Sequence, residues 1–192
     1  LAYTALYEDY PFNADFTSVL LNSLSLKERD LVWTEWLRKN TRSMGFMENY
    51  LSQVEEALRD GDLSKERSIL ASKYTRWFLT STNKEIRDRA TRLLYWFGRK
   101  YPSELFNLAI ESLVINDPYV PERLLASSYG VAMAMYREKN FVNEVLSVYA
   151  KDLYLKMFTA RAEFATTHIL MRDYARRTIE LALLMDSTIL KT

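Results

Sequence analysis

Glycine and proline are scarce in this chain, four of each among 192 residues. Their combined share lies far below the roughly 12% of average usage. Tight strand-to-strand turns lean on these two residue types, so a multi-stranded β architecture is closed to the sequence. Long helices joined by short loops remain. Apolar residues make up 48% of the chain and charged residues 27%, enough to build a core and too apolar for a disordered tail. The length suits one compact domain, or one stretch of a longer repeat array.

Composition removes several chemistries. Without cysteine there is no disulfide, no thiolate metal site and no cysteine nucleophile. A single histidine, His168, cannot form a His-cluster metal site and argues against His-based catalysis. No Gly-x-x-x-x-Gly-Lys-Ser/Thr motif is present, so the chain carries no P-loop. No catalytic residue, cofactor or metal is expected. The net charge of +1 and pI near 8.0 do not describe a general polyanion binder. The most apolar stretch, 124–136, is interrupted by Ser127, Ser128 and Gly130 and has the length of a buried core helix, so no membrane span is expected. The chain starts at Leu1 without methionine and without a basic segment before an apolar one. The expectation is a cytoplasmic piece of a longer protein, without a signal peptide.

Helical signals follow one another along the chain. After an irregular lead-in over 1–12, a short helix is expected over 15–24 with Asp15 near its cap. Ser25 to Glu28 reads as a capping box opening a helix to about 40, with Leu31, Val32, Trp36 and Leu37 near one face. A helix over 44–59 ends where Gly61 suits the left-handed position, and Ser64 caps the next, to about 80. Residues 81–83 cap a helix whose stripe is Ile86, Ala90, Leu93, Leu94, Phe97 and Tyr101. Pro102 opens a helix to about 115, where Asn116-Asp117-Pro118 breaks the chain. Further helices are expected from Pro121 to about 138 and over 140–158, with 159–166 able to continue. The last spans 167–185, with Met171, Ala175, Thr178, Ile179 and Ala182 on one face. About nine helices and no strands result.

Three helix starts share a pattern: Asn83 to Ala90, Asp117 to Leu124 and His168 to Ala175. Each places an aliphatic residue or methionine four positions before a core residue. The offsets of 34 and 51 residues suit one helix pair, and a pair with an insertion. In a stack of pairs, one apolar face closes each hairpin and the other meets the next pair, so the helix from Val120, apolar nearly all round, belongs in the middle. The pattern Asn/Asp, two residues, aliphatic, Arg/Pro, acidic resembles the HEAT repeat over 83–185. Arg87-Asp88-Arg89-Ala90, and Asn116-Asp117-Pro118-Tyr119 followed by Glu122-Arg123, are also similar to the helical sensor region of large bacterial STAND-type NTPases. The resemblance implies an all-α, right-handed α-solenoid of antiparallel helix pairs. The chain reads as a single domain, 1–192, with N-terminal helices over 1–80 and HEAT-like pairs over 81–192. Its expected role is a non-enzymatic scaffold or recognition module that binds a protein partner, or the rest of a larger polypeptide, on a curved surface.

Candidate binding residues lie on basic helices. Residues 83–101 carry a net +4, against −4 over residues 1–35. Arg89, Arg92 and Arg99 flank Trp96 just off the core stripe, and Arg172, Arg176 and Arg177 repeat the tendency on the last helix. One reading is an aromatic, basic patch for an acidic partner, with nucleic acid binding through 83–101 and 172–177 as the alternative. The other is an inter-repeat seam in which Trp96 is covered and the arginines meet acids. His168 reads as a surface or capping residue. Glu55-Glu56, and Glu28, Asp30 and Glu35, read as solvated faces, since adjacent helical positions do not face one another.

Overall fold

Helix starts need side chains that accept from free backbone amides, and most caps in this sequence do so. The structure, a computed structural model, describes residues 4–42 and 45–190. Asn13 Oδ1 takes the amides of Asp15 and Phe16 and starts α1 (Ala14–Ser23), with Asp15 in the first turn next to this cap. Ser25 and Glu28 form the capping box of α2 (Leu26–Arg29). A π turn, Asp30–Thr34, then leads into α3 (Glu35–Arg42). The start expected at Met44 lies outside the described residues; α4 (Phe46–Asp60) ends at Gly61, whose φ of 86° needs no Cβ. Ser64 caps α5 (Lys65–Thr75), which tightens into a 3₁₀ turn over Arg76–Thr80.

The second half follows the same logic. α6 (Lys84–Lys100) is followed by α7 (Pro102–Glu111), with Pro102 in the first turn. α8 (Tyr119–Met135) follows the break at Asn116-Asp117-Pro118. α9 (Lys139–Phe141) and α10 (Ser147–Met157) are joined by a second π turn, Val142–Leu146. Residues 159–166 form turns instead of continuing the helix, and α11 (Ile169–Met185) closes the chain. Among the described residues 77% are helical, in nine rods, and none is in a strand. The three starts that share a sequence pattern open α6, α8 and α11, each of 17 residues. Asn83 Oδ1 and Asp117 Oδ1 each accept from the amide two residues on, and His168 Nδ1 accepts from Met171.

The chain forms two compact units, Leu1–Phe97 with Ile115–Val120, and Gly98–Val114 with Pro121–Thr192. The first has an aromatic core. Tyr50 of α4 stacks on Phe78 at 5.7 Å, and Tyr74 meets both edge-on. Because an early residue of α4 meets the end of α5, these two helices run antiparallel. Trp77 is fully buried, with the guanidinium groups of Arg29 and Arg76 within 5.6 Å and 5.2 Å of its ring. Leu37 is buried as expected, but Leu31 and Val32 are 65% and 60% exposed. Arg29, Thr34 and Leu37 take the inner positions instead, and on a helical wheel Leu31 and Val32 both lie roughly 130° from the centre of that set.

In the second unit α8 supplies the centre. Val131 lies against Gly98, Ser128 against Tyr149 of α10, and Tyr129 against Tyr174 of α11. Every residue from Pro121 to Val131 is buried or half-buried, which is what an all-round apolar helix requires. Phe106 of α7 stacks on Tyr149 at 4.1 Å. The five residues expected on one face of α11 are all buried.

Candidate functional site

The predicted arginines divide between the units. In the first, α4 and α6 are joined by three contacts. Arg89 Nη1 reaches Ser52 Oγ at 3.5 Å, Arg92 Nε donates to Glu55 Oε2 at 3.0 Å, and the Arg59 guanidinium lies 4.9 Å from the Trp96 ring centroid. Both members of each contact advance along the chain together, so α4 and α6 lie side by side and point the same way. Arg89 also pairs with Glu85 on its own helix. Glu55 is buried and serves this seam, which corrects its reading as a solvated face; Glu56 next to it is exposed.

Arg99, Arg172 and Arg176 belong to the second unit, and all three are exposed. The Arg172 guanidinium lies 5.0 Å from the Phe158 ring and donates to the Thr166 carbonyl. Arg176 pairs with Asp173 and Glu180, while Arg177 takes the other oxygen of Asp173. Those donors hold the Asp173 carboxyl below the usual carboxylate range, against a desolvation cost that pushes the other way. Arg172, Arg176, Phe158 and Ile169 line an open depression on this unit. His168 caps α11 and turns Nε2 towards Glu122 Oε2 at 3.5 Å, the structural role the sequence suggests.

A third arrangement escaped the sequence reading. In the first unit two arginines are buried, Arg29 at 1% exposure and Arg87 at 9%. Arg29 donates to the Leu21 carbonyl and to Asn116 Oδ1. Burial lowers its pKa, and the charges of Asp117 and Asp30 oppose that. Arg87 donates to the Ser81 carbonyl and places its guanidinium 4.4 Å from the Tyr119 ring. The two arginines thereby pin the loop 116–119 at both ends. Between the pins sits Asp117, which is 5% exposed. Its Oδ1 accepts from the Tyr119 amide at 3.0 Å. Burial raises its pKa, Asp30 adds to the rise, and the Tyr119 amide and both arginines oppose it. Asp117 forms part of the wall of a groove of about 470 Å³, together with Asp30, Leu31, Glu35 and Tyr119. The π turn places Asp30, Leu31 and Thr34 on that wall.

The chain matches no family model, and no curated protein or solved structure is similar to it. Among the described residues, no group of acidic or histidine side chains could hold a metal ion, and no helix is long and apolar enough to cross a membrane.

Proposed function

We propose that this chain is a non-enzymatic, HEAT-like helical-repeat recognition module of a larger bacterial protein of the STAND type, and that it binds a protein partner. The observation that carries the reading is the side-by-side, same-direction packing of α4 and α6, with α5 running back between them in sequence. Stacked pairs in a solenoid repeat this relation from one pair to the next, and the stack presents a continuous surface to a partner. Arg89, Arg92, Trp96, Arg99, Arg172 and Arg176 are the proposed contact residues. Arginine and tryptophan are the residue types that most often dominate such contacts. The nucleic-acid alternative has less behind it, because Arg89, Arg92 and Arg176 already face carboxylates.

The test is capture by the whole chain as bait, compared with Arg172→Glu/Arg176→Glu. These residues are exposed, so the variant should keep its helical circular dichroism. A protein retained by the wild type and lost by the variant supports the reading. Equal retention by both removes Arg172 and Arg176 from the contact surface. Retention that is abolished by nuclease, and that falls steeply with salt, transfers the surface to nucleic acid.

A further inference from the structure

Two side chains lining the depression at the start of α11 are in states that folding does not use. Ile169 is 80% exposed, an aliphatic side chain left in water. Arg172 donates to the Thr166 carbonyl and lies against the Phe158 ring, and among the described residues no carboxylate pairs with it. A guanidinium carries five N–H donors in a rigid fork. With one bond given to a neutral carbonyl, the charge of Arg172 is uncompensated and further donors stay open. The acid in the lining, Asp173, is already held by Arg176 and Arg177, so it does not compete for Arg172. Charge and apolar surface therefore meet at one place: a cation without an anion beside an aliphatic side chain without a cover.

We propose that the depression seats a glutamate or aspartate side chain, next to an apolar residue, from a segment of the partner protein, with Arg172 as the anchor. The inference rests on the protein-recognition reading and deepens it, because it states the chemistry of the partner. A basic segment would meet the guanidinium. A wholly apolar one would cover the charge of Arg172 without pairing it. A nucleic-acid strand needs several cations along its backbone, and Arg176 and Arg177 are engaged with Asp173. A carboxylate can take two donors of the fork at once, while the neighbouring apolar side chain covers Ile169. The volume of about 530 Å³ falls within the roughly 300–1,000 Å³ of ordinary binding pockets. The walls are also built in advance. The Phe164 amide donates to the Lys156 carbonyl at 2.9 Å and ties the 159–166 turns to the end of α10. The His168 amide donates to Thr166 Oγ1, and Thr166 and Phe158 hold the guanidinium between them. Rigid walls lower the ordering cost of binding.

The probe is a capped pentapeptide with a central glutamate between leucines, titrated into the whole chain and followed by amide NMR shifts. Twins carry glutamine or lysine at the centre. The glutamate peptide should shift the amides of Thr167, Ile169 and Arg172. Its affinity should fall about tenfold with glutamine, and about tenfold in Arg172→Gln, which keeps a donor for the Thr166 carbonyl. Ile169→Glu, at an exposed position three residues before Arg172, should occupy the guanidinium and block binding with an unchanged melting curve. No shift at millimolar peptide, equal affinity for glutamate and glutamine, or tighter binding of the lysine twin overturns the proposal. An octathymidine that binds the same amides more tightly than the peptide overturns it too, and hands the surface to nucleic acid. Partner capture that survives in both Arg172→Gln and Ile169→Glu sinks the depression but leaves protein recognition standing. Peptide binding at Arg172 by a chain that captures no protein sinks the recognition reading but keeps the site.

Discussion

Glu55 accepts from Arg92 at 3.0 Å and ties α4 to α6 across 37 positions of sequence. The Glu55 side chain is largely covered while that of Arg92 is 58% exposed, so water screens the pair on one side only. Arg89→Glu with Arg92→Glu would set two new carboxylates beside Glu55 and Glu85. Exposed pairs contribute about 0–1 kcal/mol each, and like charges cost a similar amount, so the double variant should lose about 1–2 kcal/mol. A urea titration reads this, and adding Glu55→Lys should recover part of it. An unchanged midpoint would mean that the seam adds nothing to stability.

The Ser25 hydroxyl and backbone amide hold the Glu28 carboxyl below the usual range. A depressed carboxyl contributes stability above its unfolded pKa of about 4.3, and that contribution disappears as pH falls through the folded value. Ser25→Ala removes the hydroxyl, so the Glu28 midpoint in a carboxyl NMR titration should rise. The lost N-cap itself should cost about 1 kcal/mol at neutral pH.

That capping box was legible from four residues because its partners are three positions apart. The same holds for the left-handed Gly61, for the Ser64 cap and for the buried stripes of α6 and α11. What escaped depends on distant parts of the chain. Leu31 and Val32 are apolar enough for a core, and they face outward because the inner face is taken by Arg29, Thr34 and Leu37. Nothing local marks Arg29 as buried, since its partner Asn116 lies 87 positions away. Asn116-Asp117-Pro118 was readable as a chain break, whereas the groove needs Asp30, Thr80 and Tyr119 brought together. Glu55 looked solvated because the arginine opposite it belongs to another helix.

Gly98, in the second unit, packs closely against Leu105 and Val131 of the same unit. A Cβ there would overlap the Leu105 side chain and come within 2.8 Å of Val131 Cγ2. Alanine is the better helix former by about 1 kcal/mol, but overpacking a tight contact costs about 1–3 kcal/mol. Gly98→Ala should therefore lower stability, as seen in its urea midpoint, and Gly98→Ala with Val131→Ala should recover part of the loss. A more stable Gly98→Ala would show that Leu105 and Val131 yield easily.

Tyr74 is set edge-on against Trp33, Tyr50 and Phe78, and burial pushes its hydroxyl up to about 12. An exposed tyrosine in the unfolded chain ionises near pH 10. Between those values the unfolded state sheds a proton that the folded state keeps, so unfolding gains ground as pH rises. The full stability is present below about pH 10, and up to about 3 kcal/mol is lost as pH climbs to 12. Replacing Tyr74 with phenylalanine keeps the ring and removes the ionising group. The urea midpoint of Tyr74→Phe should therefore fall less steeply than that of the wild type between about pH 9 and pH 11. Identical slopes would mean that the Tyr74 hydroxyl is open to solvent in the folded chain.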